Sequence, residues 1–333
     1  MSILRKFLFP FAVIYGIIIR VRNFLFDINL LKSKAYDIPI ICVGNLSVGG
    51  TGKTPMIEYL LTLLSSKYRV ATLSRGYGRN TKGFILLEGD ENAAGVGDEP
   101  LQFKTKFKEV LVAVDEDRQH GIEILKDKNH AEVVLLDDAF QHRKVKAGLN
   151  IVLTKYDNLY VDDLMLPTGD LREPIIGIER AKVIVVTKCP KELSIEERRK
   201  IRAKLNLRNY QKLFFSYIDY SDMIYTSKNS KSISVLGNKK ISLVTGIANP
   251  KPLLDYLKSL NLTYEHLNFP DHHNFSKAEI EKISKSSFIL TTEKDYMRLK
   301  NEIDHPEFYY LPIKMKMIND SEGFDKIIEN FVQ

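Results

Sequence analysis

The sequence predicts an α/β protein: a doubly wound parallel sheet with helices on both faces, a second, smaller α/β domain, and an N-terminal membrane-associated helix. Three observations carry this. Short apolar runs alternate with helical patterns between residues 38 and 205. A glycine-rich stretch, CVGNLSVGGTGKTP at 42–55, joins the first run to a helix. The N-terminus, MSILRKFLFPFAVIYGIIIRVRNFLFDINL, is apolar with basic flanks.

Composition sets the outer limits. A chain of 333 residues suits two domains. Its 44% hydrophobic and 27% charged shares are those of a globular protein without long disorder. Two cysteines, Cys42 and Cys189, exclude a disulfide scaffold and fit a reducing compartment. The net charge of +7 suits a Lys-rich solvated surface or an anionic partner. Tyr and Phe are spread along the chain and form no basic stacking array, so no nucleic-acid partner is expected. No obligate protein partner is evident.

In residues 1–30 the apolar run 7–19 is shorter than the roughly twenty residues of a membrane span. Arg5 and Lys6 precede it, Arg20 and Arg22 follow, and no small-residue cleavage site appears, which argues against a signal peptide. The expectation is a helix lying in the membrane interface, its basic flanks toward anionic headgroups. The alternative is a helix packed on the domain. Residues 31–212 form the main domain, with buried strands at 38–43, 70–73, 110–114, 133–136, 151–153 and 183–186. Helices are expected at 56–64, 99–107 and 195–205. Residues 213–240 read as an extended linker around the polar loop 226–231. The smaller α/β domain, 241–308, begins with the strand 241–244, followed by helix 252–260 and strand 288–290. Residues 309–333 return as a strand at 309–313 and a helix at 324–331.

The glycine stretch has the strand–loop–helix setting of a phosphate loop, which makes the fold P-loop NTPase-like. Lys53 would meet the β- and γ-phosphates, and Thr54 would give its hydroxyl to Mg²⁺. Backbone N–H groups of Gly49, Gly50, Thr51, Gly52 and Lys53 would face phosphate oxygens. Pro55 suits the first helical turn. The usual pattern G-x-x-x-x-G-K-[ST] has glycine where Ser47 stands. That is harmless if Ser47 keeps a negative φ or the turn widens. Asp137, ending the run 133–136, is the expected magnesium partner, directly or through water. Asp138 joins the metal shell or stabilises the loop.

Phosphoryl transfer also needs a group to orient and deprotonate the acceptor. Asp98 and Glu99 in VGDEP open a helix, where they serve as caps or as that group. Asp271-His272-His273 sits in a loop, a setting that favours function over structure. It has no evident partners for a metal site.

The chain resembles the tetraacyldisaccharide 4′-kinase family, the lipid A 4′-kinases. The matching stretches are VGNLSVGGTGKTP, LSRGYGR (73–79), VGDEP (96–100), LLDDAFQHR (135–143), LPTGDLREP (166–174), VTKC (186–189), TGIANP (245–250), FPDHHNF (269–275) and TTEKDYMRL (291–299). They follow the family's order over most of the chain, and the N-terminal helix resembles the family's membrane-associated one. The resemblance makes residues 31–212 a kinase domain. It implies phosphorylation by ATP, with Mg²⁺, of the 4′-hydroxyl of a tetraacyldisaccharide 1-phosphate in lipopolysaccharide biosynthesis. The setting it implies is the cytoplasmic face of the bacterial inner membrane, with peripheral or monotopic attachment. Ser47 becomes a family feature. Carried over by motif, Lys53 and Thr54 hold phosphates and metal, and Asp137 and Glu99 serve the metal. Asp98 resembles the catalytic base, assisted by His272 in preference to His273. Asp138, Gln141, His142, Arg75 and His273 would line the substrate side. Arg172 meets phosphate charge or forms a surface ion pair.

Two rivals share the loop. Membrane-associated switch ATPases carry a second lysine just before Gly-Gly, where this chain has Val48. A GTPase would follow Val186-Thr187-Lys188-Cys189 with Asp, where Pro190 stands.

Overall fold

The computed structural model describes residues 3–271 and 273–333. Its strands are β1 (Ile40–Asn45), β2 (Val70–Ser74), β3 (Ile85–Leu86), β4 (Leu111–Val114), β5 (Val133–Asp137), β6 (Leu149–Lys155), β7 (Val183–Thr187), β8 (Lys212–Tyr220), β9 (Met223–Tyr225), β10 (Ser230–Ser232), β11 (Ile241–Thr245), β12 (Tyr264–Asn268), β13 (Ile289–Thr292), β14 (Phe308–Leu311) and β15 (Ile313–Met317). They form a larger sheet, β15-β8-β7-β6-β1-β5-β2-β4-β3, and a smaller one, β10-β9-β14-β13-β11-β12. In the larger sheet the strands from β8 to β4 run parallel, and only the edge strands β15 and β3 are antiparallel.

Strand alternation explains the layering. In β1, Ile41 and Val43 enter one apolar layer, while Ile40 and Cys42 enter the other. β5 and β7 divide their residues the same way. Both faces are therefore covered, and the strands read as continuous apolar runs. β1 lies between β5 and β6, so the chain leaves it toward both edges of the sheet. Ligands bind outside the carboxyl ends of strands at such a switch point.

The stretch 213–240, expected as a linker, is built into both sheets. Leu213, Phe214 and Phe215 alternate into the two layers flanking the large sheet, which makes β8 a core strand. β9 and β10 edge the small sheet, and residues 233–238 are a 3₁₀ turn instead of an extended piece. The extended reading of this stretch holds, but the half-buried last four residues of β8 gave it the texture of a linker. The return predicted at 309–313 is two strands. β14 runs parallel to β13 in the small sheet, and β15 pairs antiparallel with β8 in the large one. The chain thus crosses between the sheets twice. The last helix, Ser321–Val332, buries Phe324, Ile328 and Val332. Phe324 packs edge-on against Tyr59 of the phosphate-loop helix Lys53–Leu64, and Tyr59 donates a hydrogen bond to Asp325 at 2.7 Å.

The N-terminal helix Phe9–Asp27 combines the two expectations. One narrow stripe, Ala12, Gly16, Asn23 and Phe26, is buried. Phe11, Ile14, Ile18, Val21 and Phe24 are exposed. With 19 residues at a mean hydropathy of 1.5, the helix is long and apolar enough to cross a membrane by length and composition. Arg5 and Arg22, expected to face headgroups, turn inward. Arg5 bonds Asp170 at 2.9 Å, and Arg22 donates to the Gln141 carbonyl at 2.6 Å. Lys6 and Arg20 are exposed.

The two units meet through a buried charge cluster. Lys106 reaches Glu58 of the phosphate-loop helix at 2.7 Å and Glu293, at the start of helix Glu293–Leu299, at 3.4 Å. Burial, then the Glu58 carboxylate, pushes Glu293 up to about 7 from 4.5. Between these values the folded chain keeps a proton that the unfolded chain has lost. This contribution to stability is therefore complete below about 4.5 and lost as pH rises through 7. Relative to wild type, Glu293→Gln should gain about 1–3 kcal/mol between pH 5 and pH 8 in urea unfolding. A pH-independent difference between the two proteins would remove Glu293 as the titrating group.

Candidate active site

The site grows from the end of β1. Gly44 lies against the turn after β5, where a Cβ would stand 2.5 Å from the Phe140 Cβ, so only glycine allows this approach. Beyond Asn45 the chain stays extended and pairs with LPTGDLREP. Val48 N–H donates to the Asp170 carbonyl at 2.8 Å, and Arg172 N–H donates to the Leu46 carbonyl at 2.7 Å. Ser47 bridges Leu171 and is absent from the described residues with positive φ. This answers the irregularity at Ser47: pairing, not a glycine turn, shapes the start of the loop. Gly52, at φ +91°, turns the chain into the helix that begins at Lys53. Two side chains brace the loop. Asn45 Nδ2 donates to Thr51 Oγ1 at 2.8 Å, and Thr187 Oγ1 donates to the Thr51 carbonyl at 2.7 Å.

Acidic groups stand at the start of that helix. Thr54 Oγ1 donates to Glu99 at 2.8 Å. Asp98 and Glu99 open the helix Asp98–Lys106, where the helix dipole favours negative charge. Helix Glu293–Leu299 supplies a cation to each: Lys294 pairs with Glu99, and Arg298 with Asp98. Burial opposes ionisation of Glu99, but Lys294 outweighs it and holds this carboxyl below its usual range. Burial likewise opposes the Lys294 charge, and Glu99 more than compensates. Arg298 also bonds Asp295 at 2.9 Å, and Asp295 accepts the Gly246 N–H at 2.9 Å. TGIANP and TTEKDYMRL are thereby joined behind Asp98.

Asp137 ends β5 fully buried, and its Oδ1 has no hydrogen-bond partner among the described residues. Burial, then the Glu99 charge, pushes it up to about 7. Asp138 adopts a left-handed φ of +49° and lies between two cations, 3.7 Å from Lys53 and 2.6 Å from Arg172. Burial opposes its ionisation, but Lys53 and Arg172 keep its pKa low. The ion pair foreseen as one reading of Arg172 is therefore made within the site.

A cleft of about 210 Å³ lies between the units, bordered by Lys53, Thr54, Glu99, Lys188, Asp271 and Lys294. Of the other predicted residues, Gln141 is engaged beside the N-terminal helix. Its amide donates to the Asn45 carbonyl and to Glu173, each at 2.8 Å. His142 is kept neutral, its pKa pulled down to about 4 by burial and then by Arg118. Arg75 is exposed. His273 stacks on Phe269 at 5.0 Å and bonds Glu279 at 3.1 Å, within the capping box of helix Lys277–Ser284. His272 lies outside the described residues.

Sequence reasoning assigned no role to Lys294, Arg298 or Arg118. The first two are four apart in TTEKDYMRL, hence on one helix face, and that spacing was the available signal. Arg118 is buried close enough to Asp137 and Asp138 to feel their charge. A buried arginine is invisible to pattern reading, because DEDR resembles a solvated turn.

Among the described residues no three His, Cys, Asp or Glu side chains gather as a metal cluster. Magnesium needs only one or two carboxylates beside phosphates and water. The orphaned Asp137 oxygen, the Thr54 hydroxyl and Glu99 fit that requirement. Removing the cation from Asp98 tests this half of the site. Arg298→Gln removes the ion-pair partner of the buried Asp98 and should lower turnover about tenfold or more. Unchanged turnover would remove Arg298 from the site.

Residues 4–333 match the family model described as tetraacyldisaccharide-1-P 4′-kinase. A tetraacyldisaccharide 4′-kinase of Flavobacterium johnsoniae is 54% identical, with 100% of this chain and 98% of that protein covered. One of Bacteroides thetaiotaomicron is 45% identical, covering 99% and 94%. The crystal structure of LpxK from Aquifex aeolicus in complex with ATP is similar with a TM-score of 0.82 at 31% identity, covering 99% of this chain and 100% of that one. With that agreement of motifs, architecture and length, the chain belongs to the tetraacyldisaccharide 4′-kinase family.

Proposed function

We propose that the protein transfers the γ-phosphate of ATP to the 4′-hydroxyl of a tetraacyldisaccharide 1-phosphate, a lipid A precursor. The observation that carries this reading is the junction of two halves. The phosphate loop and the Asp98–Glu99 pair meet at the Thr54–Glu99 hydrogen bond.

Each group then has a task. Loop N–H groups and Lys53 hold the phosphates, with the Lys53 ammonium over the β- and γ-oxygens. Thr54, Asp137 and Glu99 would hold Mg²⁺, which supplies further neutralisation of phosphate charge. Asp98, paired with Arg298, accepts the proton of the attacking 4′-hydroxyl. His272 is assigned to assist it on the motif alone. The hydroxyl oxygen bonds to the γ-phosphorus as the bond to the bridging oxygen of ADP breaks. Asp138 and Arg172 form the polar wall beside Lys53. Packing of the small unit over the cleft excludes water and limits ATP hydrolysis.

The acceptor carries acyl chains, and the outward face of helix Phe9–Asp27 suits a membrane interface. ATP supply sets this on the cytoplasmic face, with the helix lying on the bilayer, since its buried stripe is docked on the protein.

Transfer from γ-labelled ATP to tetraacyldisaccharide 1-phosphate in detergent micelles tests the reaction. Asp98→Ala should lower turnover about 10²-fold or more and keep ATP binding, whereas Lys53→Ala should damage both. Unlabelled lipid with wild-type enzyme that still hydrolyses ATP would reject this acceptor. The membrane reading has its own check: Ile14→Asp with Ile18→Asp should abolish flotation with anionic vesicles, and unchanged flotation would refute it.

A further inference from the structure

We propose that Lys188 is a further nucleotide-binding residue, its ammonium reaching over Gly50 to the polyphosphate, on the β7 side of the loop. The proposal rests on the nucleotide reading of the loop and goes beyond the loop's own Lys53.

Three independent features point to it. The first is strain. Lys188 adopts φ +57°, a region that β-carbons disfavour. Both neighbours are pinned. Thr187 Oγ1 donates to the Thr51 and Thr154 carbonyls, and Cys189 N–H donates to the Ser216 carbonyl at 3.0 Å. The surroundings therefore impose the conformation, as is common where a side chain is aimed at a ligand. The second is position. Lys188 borders the cleft beside Gly50 to Thr54, and its Nζ lies 3.8 Å from where a Cβ on Gly50 would be. The third is charge. Lys53 faces Asp138 and Lys294 pairs with Glu99, but Lys188 has no ion pair among the described residues. Burial of the ammonium, then Lys155, lowers its affinity for a proton, and Asp157 opposes this only in part. The residue as a whole is exposed at the rim while its charged end is crowded by other cations. An ammonium without an ion pair, held beside Gly50 of the phosphate loop, is arranged for an anion.

The loop has no second lysine before Gly49-Gly50, where Val48 stands. Lys188 supplies that second cation from β7 instead. Pro190, where a carboxylate would read guanine, offers the base no acceptor side chain, so the lysine serves phosphate without selecting the purine.

The test is displacement of a fluorescent nucleotide from the full chain in detergent, without lipid. Lys188→Met keeps the stem and removes the charge. It should bind MgATP and ADP about tenfold more weakly, the size of one charge-assisted hydrogen bond, with AMP less affected. Lys188→Arg should restore most of the loss. The melting temperature without nucleotide should not fall, because the lost charge had no partner. Wild-type MgATP affinity in Lys188→Met would overturn the proposal, as would an affinity loss matched by a lower melting temperature. A wild-type protein that binds no nucleotide would sink the kinase reading, and this inference with it. Binding lost only in the variant concerns Lys188 alone.

Discussion

Two carboxylates in succession at the start of one helix repel each other, and burial raises that cost. Asp98 and Glu99 persist because each has a cation, and both cations come from one helix of the other unit. Buried ion pairs stabilise little in net terms, but losing one partner strands a charge. The rest of the structure follows from this constraint. The acid half of the site exists only when the small sheet brings Lys294 and Arg298 to the large one. The double crossing of the chain, through β8 to β9 and back through β14 to β15, holds the units in that relation.

A second contact system runs through LPTGDLREP. Its backbone pairs with the start of the phosphate loop. Arg172 binds Asp138, the neighbour of Lys53. The same stretch receives the N-terminal segment and its helix: Arg5 at Asp170, Tyr15 at the Arg172 carbonyl, and Asn23 at Glu173. One segment of chain thus touches both the apolar helix and the phosphate wall.

Much of this was legible in the sequence. Buried parallel strands are uniform apolar runs, so β1, β2, β4, β5, β6 and β7 stood out, and Gly52-Lys53-Thr54 marked the loop between strand and helix. β8 was read as an extended piece of a linker because its last four residues are only half-buried, and β12 was missed because none of its residues is fully buried. Among site residues, Thr54 bonds Glu99, and Asp137 lies close enough to feel the Glu99 charge. Gln141 and His273 are held in packing contacts whose cause is tertiary: a helix docked from the N-terminus in one case, an aromatic cluster in the other.

By itself the sequence determined the chemistry on offer: a cation and a hydroxyl after a glycine turn, paired carboxylates at a helix start, and an apolar N-terminal face. Local spacing decides these, because strand and helix periods put neighbouring residues in known relations. Only the tertiary structure decided which charges neutralise one another. Asp98 and Arg298 are 200 positions apart, and Glu99 and Lys294 are 195. No periodicity connects residues that far apart; the crossing of the chain between two sheets does.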